Sequence, residues 1–550
     1  MPNFTTRKIF LVPSFNLDVK EEEEMYRFLS LLEKSNVSKL FPKRSEMDLL
    51  KGGRPSYNDC NLLATILYGF AFGNPTLRDL EEACKYDLRY FYLMEQERPK
   101  HSIFGNFINE VVVPNAEEIF HLITNEIINE CGIDVEDVFI DGSKFEADAN
   151  RYKFVWKPTK FHLKLSDKIR ILLDKVGLIN NVPHNGIIDS KLIAQKINLL
   201  SNDERYINEY KLLCDYLIKA LEYEEKTRIC GDRNSYYKTD HDATAMTLKS
   251  DYYSGLGSNM RAAYNTQLLV SSGLICSYYV SQSRSDIDDF IPVLKRFYDF
   301  YGYYPKRVCA DAGYGSLENY RFLNDNNMEN YVKYFTWEGN VSGKNPDQYN
   351  FNDDNTITCL NNNVGYRVDI PYRHPKKAEA VFYRIDGCDN CEFKDYCKRW
   401  MKNKDENFKI FEVVEELQRY KNQSFDNLLS PKGIEMRVNR SSQVEGAFGV
   451  LKEDMNYVRL RRTSLEKVNT EFMLTFLGYN IRKLFRHFDG KAKFLYWKAP
   501  DNLLPETKKK PSAKRLSNNA KKDKNKSLNQ TSKDSYKHKK KRANSLNLIT

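Results

Sequence analysis

Two short apolar runs each end on an aspartate, and this pair constrains the fold more than any other feature of the sequence. Val138, Phe139 and Ile140 lead into Asp141 within VFIDGSKFEADAN, and Val308, Cys309 and Ala310 lead into Asp311 within PKRVCADAGYGS. Aspartate is a poor strand residue, and burying its charge is costly. Gly142 predicts a turn directly after Asp141. Taken alone, Asp141 fits a turn aspartate as well as a carboxylate held ready for a ligand. The elements between the two aspartates decide more. AAYNTQLLVSS and GLICSYYVSQS are β-rich runs parted by Ser-Gly, which predicts a hairpin. SDIDDFIPVLKRFYDFYG follows as a helix with Ser285 or Asp286 as its cap. After the strand that ends at Asp311 come a short helix, SLENYRFLNDNN, and a further strand, NYVKYFTW.

The resulting order is β-β-β-α-β-α-β, with Asp141 on the first strand and Asp311 ending the fourth. It is the order of a ribonuclease-H-like sheet, in which those two strands are neighbours. A metal-dependent nuclease of this kind needs a third carboxylate on the next helix. That helix, EMRVNRSSQVEGAFGVLKEDM, arrives only after about a hundred residues. Val444, Ala447 or Phe448, Leu451 and Met455 form its apolar stripe, and Glu445 and Lys452, two turns apart, share a flanking face. Glu453 falls on another face and Glu435 precedes the helix, so Glu445 is the chosen third acid. Two aspartates and a glutamate without histidine suit Mg²⁺ or Mn²⁺, bound as two ions that can activate a nucleophilic oxygen on a phosphodiester and stabilise the leaving one.

The fold class read from the sequence is therefore α/β: a ribonuclease-H-like catalytic core, a mixed sheet with flanking helices, carrying two insertions and preceded by an all-helical domain. The expected segments are 1–132, a helical DNA-binding or dimerisation domain; 133–156, the first core strand; 157–240, a helical insertion, plausible as a hairpin or coiled coil; and 241–335, core. An insertion with cysteines, 336–435, the last core helices, 436–500, and a disordered basic tail, 501–550, complete the chain. From Glu506 onward there are 15 Lys and Arg against 3 Asp and Glu, whereas residues 1–505 carry 70 against 72. The basicity thus belongs to the tail, which suits a polyanion such as nucleic acid, or simply solubility. Most of the eleven cysteines stand singly in apolar surroundings. Cys388, Cys391 and Cys397, in CDNCEFKDYC, have metal-ligand spacing, and Cys359 completes a set for structural Zn²⁺; free thiols fit the same spacing. No secretory signal and no apolar run long enough for a membrane span is evident, so a cytoplasmic, nucleoid-associated protein is expected. His241 and Asp242 read as a turn.

The sequence resembles the DDE-type transposases of bacterial insertion sequences, in the branch called IS eleven-eighty-two. The resemblance rests on FIDGSKFEADAN, YNTQLLV (264–270), ADAGYGS (310–316) and QVEGAFGVLKEDM (443–455), with GRPSYNDCNLLATILYGFAFGNPTLRDLEEAC resembling an amino-terminal transposase domain. It implies that Asp141, Asp311 and Glu445 are the catalytic metal ligands. It also implies cleavage of double-stranded DNA at terminal inverted repeats, then strand transfer into target DNA, by a homodimer in the DNA complex. Many relatives extend the glutamate motif to Tyr-x2-Arg-x3-Glu-x6-Lys. Here Glu445 and Lys452 match, but Val438 and Ser441 stand at the Tyr and Arg positions, leaving Arg440 or Arg437 to meet phosphate. Lys452 and the cluster Arg459, Arg461 and Arg462 are the other candidate DNA contacts. Asn265 and Gln267 either support the site or satisfy the sheet edge. A structure-specific nuclease without strand transfer, or a DNA-binding descendant with decayed catalysis, are the alternative readings.

Overall fold

The first apolar run forms a long central strand because both faces of the sheet are covered at Val138, Phe139 and Ile140, each fully buried. The computed structural model describes residues 24–41, 56–73, 75–201, 203–248, 260–371, 373–489 and 496–520. Residues 1–23 and 42–55 of the expected amino-terminal domain, and 521–550 of the expected tail, lie outside the described residues.

Strand β1 (Asp137–Glu146) is followed in the main sheet by β2 (Thr244–Thr247), β3 (Met260–Ser271), β4 (Leu274–Ser281), β5 (Arg307–Ala310) and β6 (Glu329–Val332). The sheet runs β2-β3-β1-β5-β6, with β4 also paired to β3. β1 is antiparallel to β3 and parallel to β5, and β5 is parallel to β6. Helix Phe290–Tyr301 links β4 to β5, and helix Leu317–Asp325 links β5 to β6. The sheet is thus mixed and the expected hairpin is β3–β4, while the strand at 244–247 is an addition to the expected order.

One expectation at the centre is corrected. The chain does not turn at Gly142: β1 continues through Asp141 and Gly142 to Glu146, paired throughout with β3. Glycine is required there for room rather than for a turn, because a Cβ would collide with the Gln267 carboxamide and approach Asp286 Oδ1 to 2.9 Å. Asp286 likewise makes no cap on the following helix; its carboxylate is engaged with β3 instead.

Residues 158–230 form three helices, Pro158–Lys175, Ser190–Leu200 and Ile207–Cys230, rather than a hairpin. They close on their own core of Leu165, Ile169, Leu173, Ile193 and Leu213. A two-stranded ladder, Phe154–Trp156 with Ser235–Tyr237, joins the ends of this insertion. The cysteine-containing insertion is an antiparallel sheet of β7 (Tyr349–Phe351), β8 (Ile357–Cys359), β9 (Val364–Val368), β10 (Val381–Asp386) and β11 (Phe408–Val413), in the order β11-β10-β9-β8-β7. Helix Glu415–Leu429, expected within that insertion, lies along β6: Ser424 Oγ donates to the Val332 carbonyl at 2.6 Å and Asn427 Nδ2 to that of Asn330 at 2.9 Å.

The chain divides into two compact units. One contains residues 1–133 with 453–457 and 466–493; the other contains 134–452, 458–465 and 494–550. The segment 436–500, expected to hold the last core helices, is therefore divided between them. Helix Leu465–Phe488 packs with the amino-terminal helices, since Gly478 lies against the Phe70 backbone and Phe485 stacks edge-on with Phe28 at 6.1 Å. The tail expectation also changes for 501–520. Leu516 is completely buried beside Phe393 and Tyr396, the Lys509 amide donates to the Val341 carbonyl at 2.9 Å, and Ser517 Oγ donates to Asp395 at 3.0 Å. A few apolar side chains in a basic segment suffice to seat it.

Candidate active site

Parallel pairing of β1 and β5 brings Ile140 opposite Ala310, so Asp141 and Asp311 each directly follow a residue of that pair. Asp141 sits inside its strand with a side chain only 22 % exposed. Asp311 leaves its strand, and its Oδ1 accepts from the Gly313 amide at 2.7 Å, which caps a short turn at 312–314. Burial pushes the Asp141 carboxyl up to about 6; Asp311 and Glu445 add repulsion, while the Arg440 guanidinium works the other way. The two other acids therefore stand near enough to be felt by Asp141.

Glu445 is carried by a composite helix: α-helical at Pro431–Arg440, π-helical at Ser441–Glu445, α-helical at Gly446–Gly449 and π-helical again at Val450–Asp454. Val444, Ala447, Phe448 and Leu451 are its buried stripe, as the sequence predicts, with Phe448 against Phe145 of β1. The π segment sets which side chains meet. In a regular α-helix positions 440 and 445 point about 140° apart, whereas an i→i+5 turn nearly superimposes them. Arg440 Nη2 donates to Glu445 Oε1 at 2.7 Å, Ser441 Oγ donates to Glu445 Oε2 at 3.1 Å, and Arg440 Nη1 approaches Asp141 Oδ2 at 3.5 Å. The guanidinium thus spans two of the three acids, and of these Glu445, 48 % exposed, is the accessible one. Arg437 is committed elsewhere: it pairs with Glu506 at 2.6 Å and lies over Trp337. Of the two arginines left open by the sequence, Arg440 is the one beside the acids.

A polar network lies on β3 opposite Gly142, the neighbour of Asp141. Gln267, opposite Gly142, donates to Asp286 at 3.1 Å and accepts from the buried Tyr314 hydroxyl of the turn after Asp311. Asn265 donates to Asp286 at 2.7 Å, and Asp289, buried behind them, accepts from Ser281 Oγ at 2.6 Å. Burial pushes the Asp289 carboxyl up to about 6, opposed by its bonds from Ser281 and Gln267. Asn265 and Gln267 therefore bond Asp286 on a strand that is paired on both sides, and neither satisfies a free edge. Asp286 and Asp289 are the residues that sequence reasoning missed; the signal was their position just after the second hairpin strand, with amide side chains at alternating positions opposite.

The remaining candidates lie in the same compact unit as the three acids. Lys452 Nζ donates to Ser143 Oγ at 2.7 Å and lies over the Phe145 ring, further along β1. Arg459 pairs with Asp148 at 3.0 Å, next to a backbone bridge between residues 146 and 459. Arg461 is exposed and Arg462 half-buried. Cys359, Cys388, Cys391 and Cys397 line one cavity in the five-stranded insertion. His241 and Asp242 lie in a turn.

Three carboxylates against one guanidinium leave the site two negative charges in excess, all on hard oxygen donors, which fits a divalent cation of the magnesium type. Among the described residues no three His, Cys, Asp or Glu side chains are already drawn together closely enough to share one ion. No described helix is long and apolar enough to cross a membrane. Compared with known proteins, residues 358–485 match the family model described as a transposase DDE domain, and residues 14–110 match that of a transposase domain, DUF772. The first match includes Glu445, Arg440 and Lys452. No curated protein and no solved structure matches the chain.

Proposed function

Since the chain belongs to the DDE-type transposases, we propose that it cuts double-stranded DNA at the terminal inverted repeats of its element and joins the ends to target DNA, with Asp141, Asp311 and Glu445 as the metal-binding catalytic acids. The observation that carries this reading is the order β4-β3-β1-β5-β6, that of a ribonuclease-H-like sheet, with Asp141 and Asp311 each directly following a residue of the parallel pair Ile140–Ala310. We also infer that it falls in the branch called IS eleven-eighty-two.

Asp141, Asp311 and Glu445 would hold Mg²⁺ or Mn²⁺, which when bound supplies Lewis-acid activation of the attacking oxygen and stabilisation of the leaving one. The chain's own residues do the rest. Arg440 holds Glu445 and faces Asp141, and with an incoming phosphodiester it can pass from carboxylate to phosphate, a bidentate acceptor of the same kind. Gln267 and Asn265 fix Asp286 behind Gly142, so the backbone that carries Asp141 cannot shift when charge develops. Lys452 on the glutamate helix and Arg459, Arg461 and Arg462 on the segment that follows it supply phosphate contacts that orient the duplex. We place the protein in the cytoplasm at the nucleoid and as a dimer on its DNA.

The test is cleavage of a DNA fragment bearing the cognate element end, with joining to a supercoiled target scored in the same reaction. Wild-type protein with Mg²⁺ should yield both cut ends and joined products. Asp141→Asn should retain binding to the fragment and lose cutting by at least ~10³-fold. Cutting that survives the triple change at Asp141, Asp311 and Glu445 overturns the assignment. Cutting of branched DNA without preference for element ends would favour the structure-specific nuclease.

A further inference from the structure

The five-stranded insertion carries a second cluster of chemistry that DNA cleavage does not use. β8 ends at Cys359, where the chain turns through Asn362 at φ 62°, and β10 ends at Asp386, followed by Gly387 at φ 82° and then Cys388. Both left-handed positions fold a strand end back on itself and so turn the two cysteines to a common side. Cys391 follows a short way on, and the helical turn Lys394–Cys397 returns the fourth thiol. All four line one cavity of about 20 Å³, and none of the chain's cysteines is in a disulfide.

A second observation points to what the cavity receives. Lys398 and Lys409 also line it, and they are 1 % and 9 % exposed. Lys398 Nζ donates to the carbonyl oxygens of Lys404, at 3.4 Å, and Glu406; Lys409 Nζ donates to the Cys397 carbonyl and the Gln348 side chain. Among the described residues neither lysine has a carboxylate partner. Two buried ammonium groups without an anion are expensive. A divalent ion held by four thiolates carries two net negative charges, which balances those two lysines. No carboxylate lines the cavity, so the site offers sulfur rather than oxygen.

We propose that Cys359, Cys388, Cys391 and Cys397 bind a single structural zinc ion. The thiols are not already gathered to bonding distance of one point. Bonds of about 2.3 Å to each sulfur require them to close on the cavity that they line. The ion ties β8, β10 and the turn at 394–397 into one unit. Its neighbours Phe393 and Tyr396 are the surface on which Leu516 is buried, with Cys391 and Cys397 packed against the same cluster. Zinc therefore also seats the segment at 501–520.

The test uses the full chain purified under reducing conditions, without DNA, so its outcome is independent of the cleavage reading. Elemental analysis should find a single zinc per chain. Cobalt added to the metal-stripped, reduced protein should give the thiolate-to-metal absorption of a tetrahedral sulfur site, reversed by added zinc. Cys388→Ser and Cys391→Ser should each lose the metal, while Cys276→Ser, a buried thiol outside the cavity, should keep it. Metal stripping should also speed proteolysis at the basic residues between 508 and 515 by at least tenfold. Wild-type protein that is folded by circular dichroism yet takes up neither zinc nor cobalt overturns the proposal, whatever the serine variants do. So does full zinc in a Cys388→Ser, Cys391→Ser double variant, or a disulfide between those two cysteines in the protein as isolated.

Discussion

Asp141 combines burial with two acidic neighbours, and both oppose its charge, while the Gly142 amide and Arg440 favour it. Gly142 makes the arrangement possible, because only a residue without a Cβ lets Gln267 and Asp286 close over the strand beside it. Asp289, deeper in the same network, offers a clean test of its electrostatics. Its folded-state pKa of about 6 lies above the ordinary value of about 3.9. The native state then binds the proton more tightly than the unfolded chain, so stability is full below the lower value and declines as pH rises through the higher one. The difference amounts to at most about 3 kcal/mol. Asp289→Asn removes that decline. Chemical denaturation of the two proteins should show the variant gaining on the wild type by up to this amount between about pH 4 and pH 8. Parallel pH profiles would contradict the burial argument.

At the scale of elements, the composite helix is the part whose function depends on a departure from regularity. Its apolar stripe was legible in the sequence, since burial at Val444, Ala447 and Leu451 follows helical spacing. The two aspartates were legible for a similar reason: an apolar run that ends on a charge implies something at the strand's end to meet that charge. Arg440 could not be singled out, because regular α-helical geometry turns it away from Glu445, and no sequence pattern announces a π turn. Asp286 was hidden by its resemblance to a helix cap, and Gly142 by its resemblance to a turn. In each case the deciding information was the neighbour across the sheet, which is long-range. The helix therefore carries its own prediction. Arg440→Gln leaves Asp141 and Glu445 without their shared cation. Metal-free protein should lose about 1–3 kcal/mol of stability, partly restored by Mg²⁺, and cleavage should slow by at least ~10²-fold. Unchanged stability together with unchanged cleavage would remove Arg440 from the site.

At the scale of the whole molecule, the chain returns twice to structures that it built earlier. Helix Leu465–Phe488 belongs with the amino-terminal helices, and residues 501–520 lie on the cysteine-containing insertion. Composition alone could not reveal either return, since a helix shows which face is apolar but not its partner, and a basic segment with one buried leucine reads as a tail. Leu516→Asp puts a charge at a fully buried position, so proteolysis at 508–515 should accelerate while the remainder of the fold keeps its circular dichroism; resistance equal to wild type would show that the segment is held in some other way. The central claim, that three acids far apart in sequence share divalent cations, can be read directly from the polypeptide. Fe²⁺ substituted at the Mg²⁺ site, with ascorbate and peroxide, generates hydroxyl radicals that cut the backbone beside the ion. Mapped by mass spectrometry, the cuts should cluster at residues around 141, 311 and 445, be suppressed by excess Mg²⁺ and be lost in Asp141→Asn. Cuts confined to other segments, or a pattern that Asp141→Asn leaves intact, would contradict the shared-cation site.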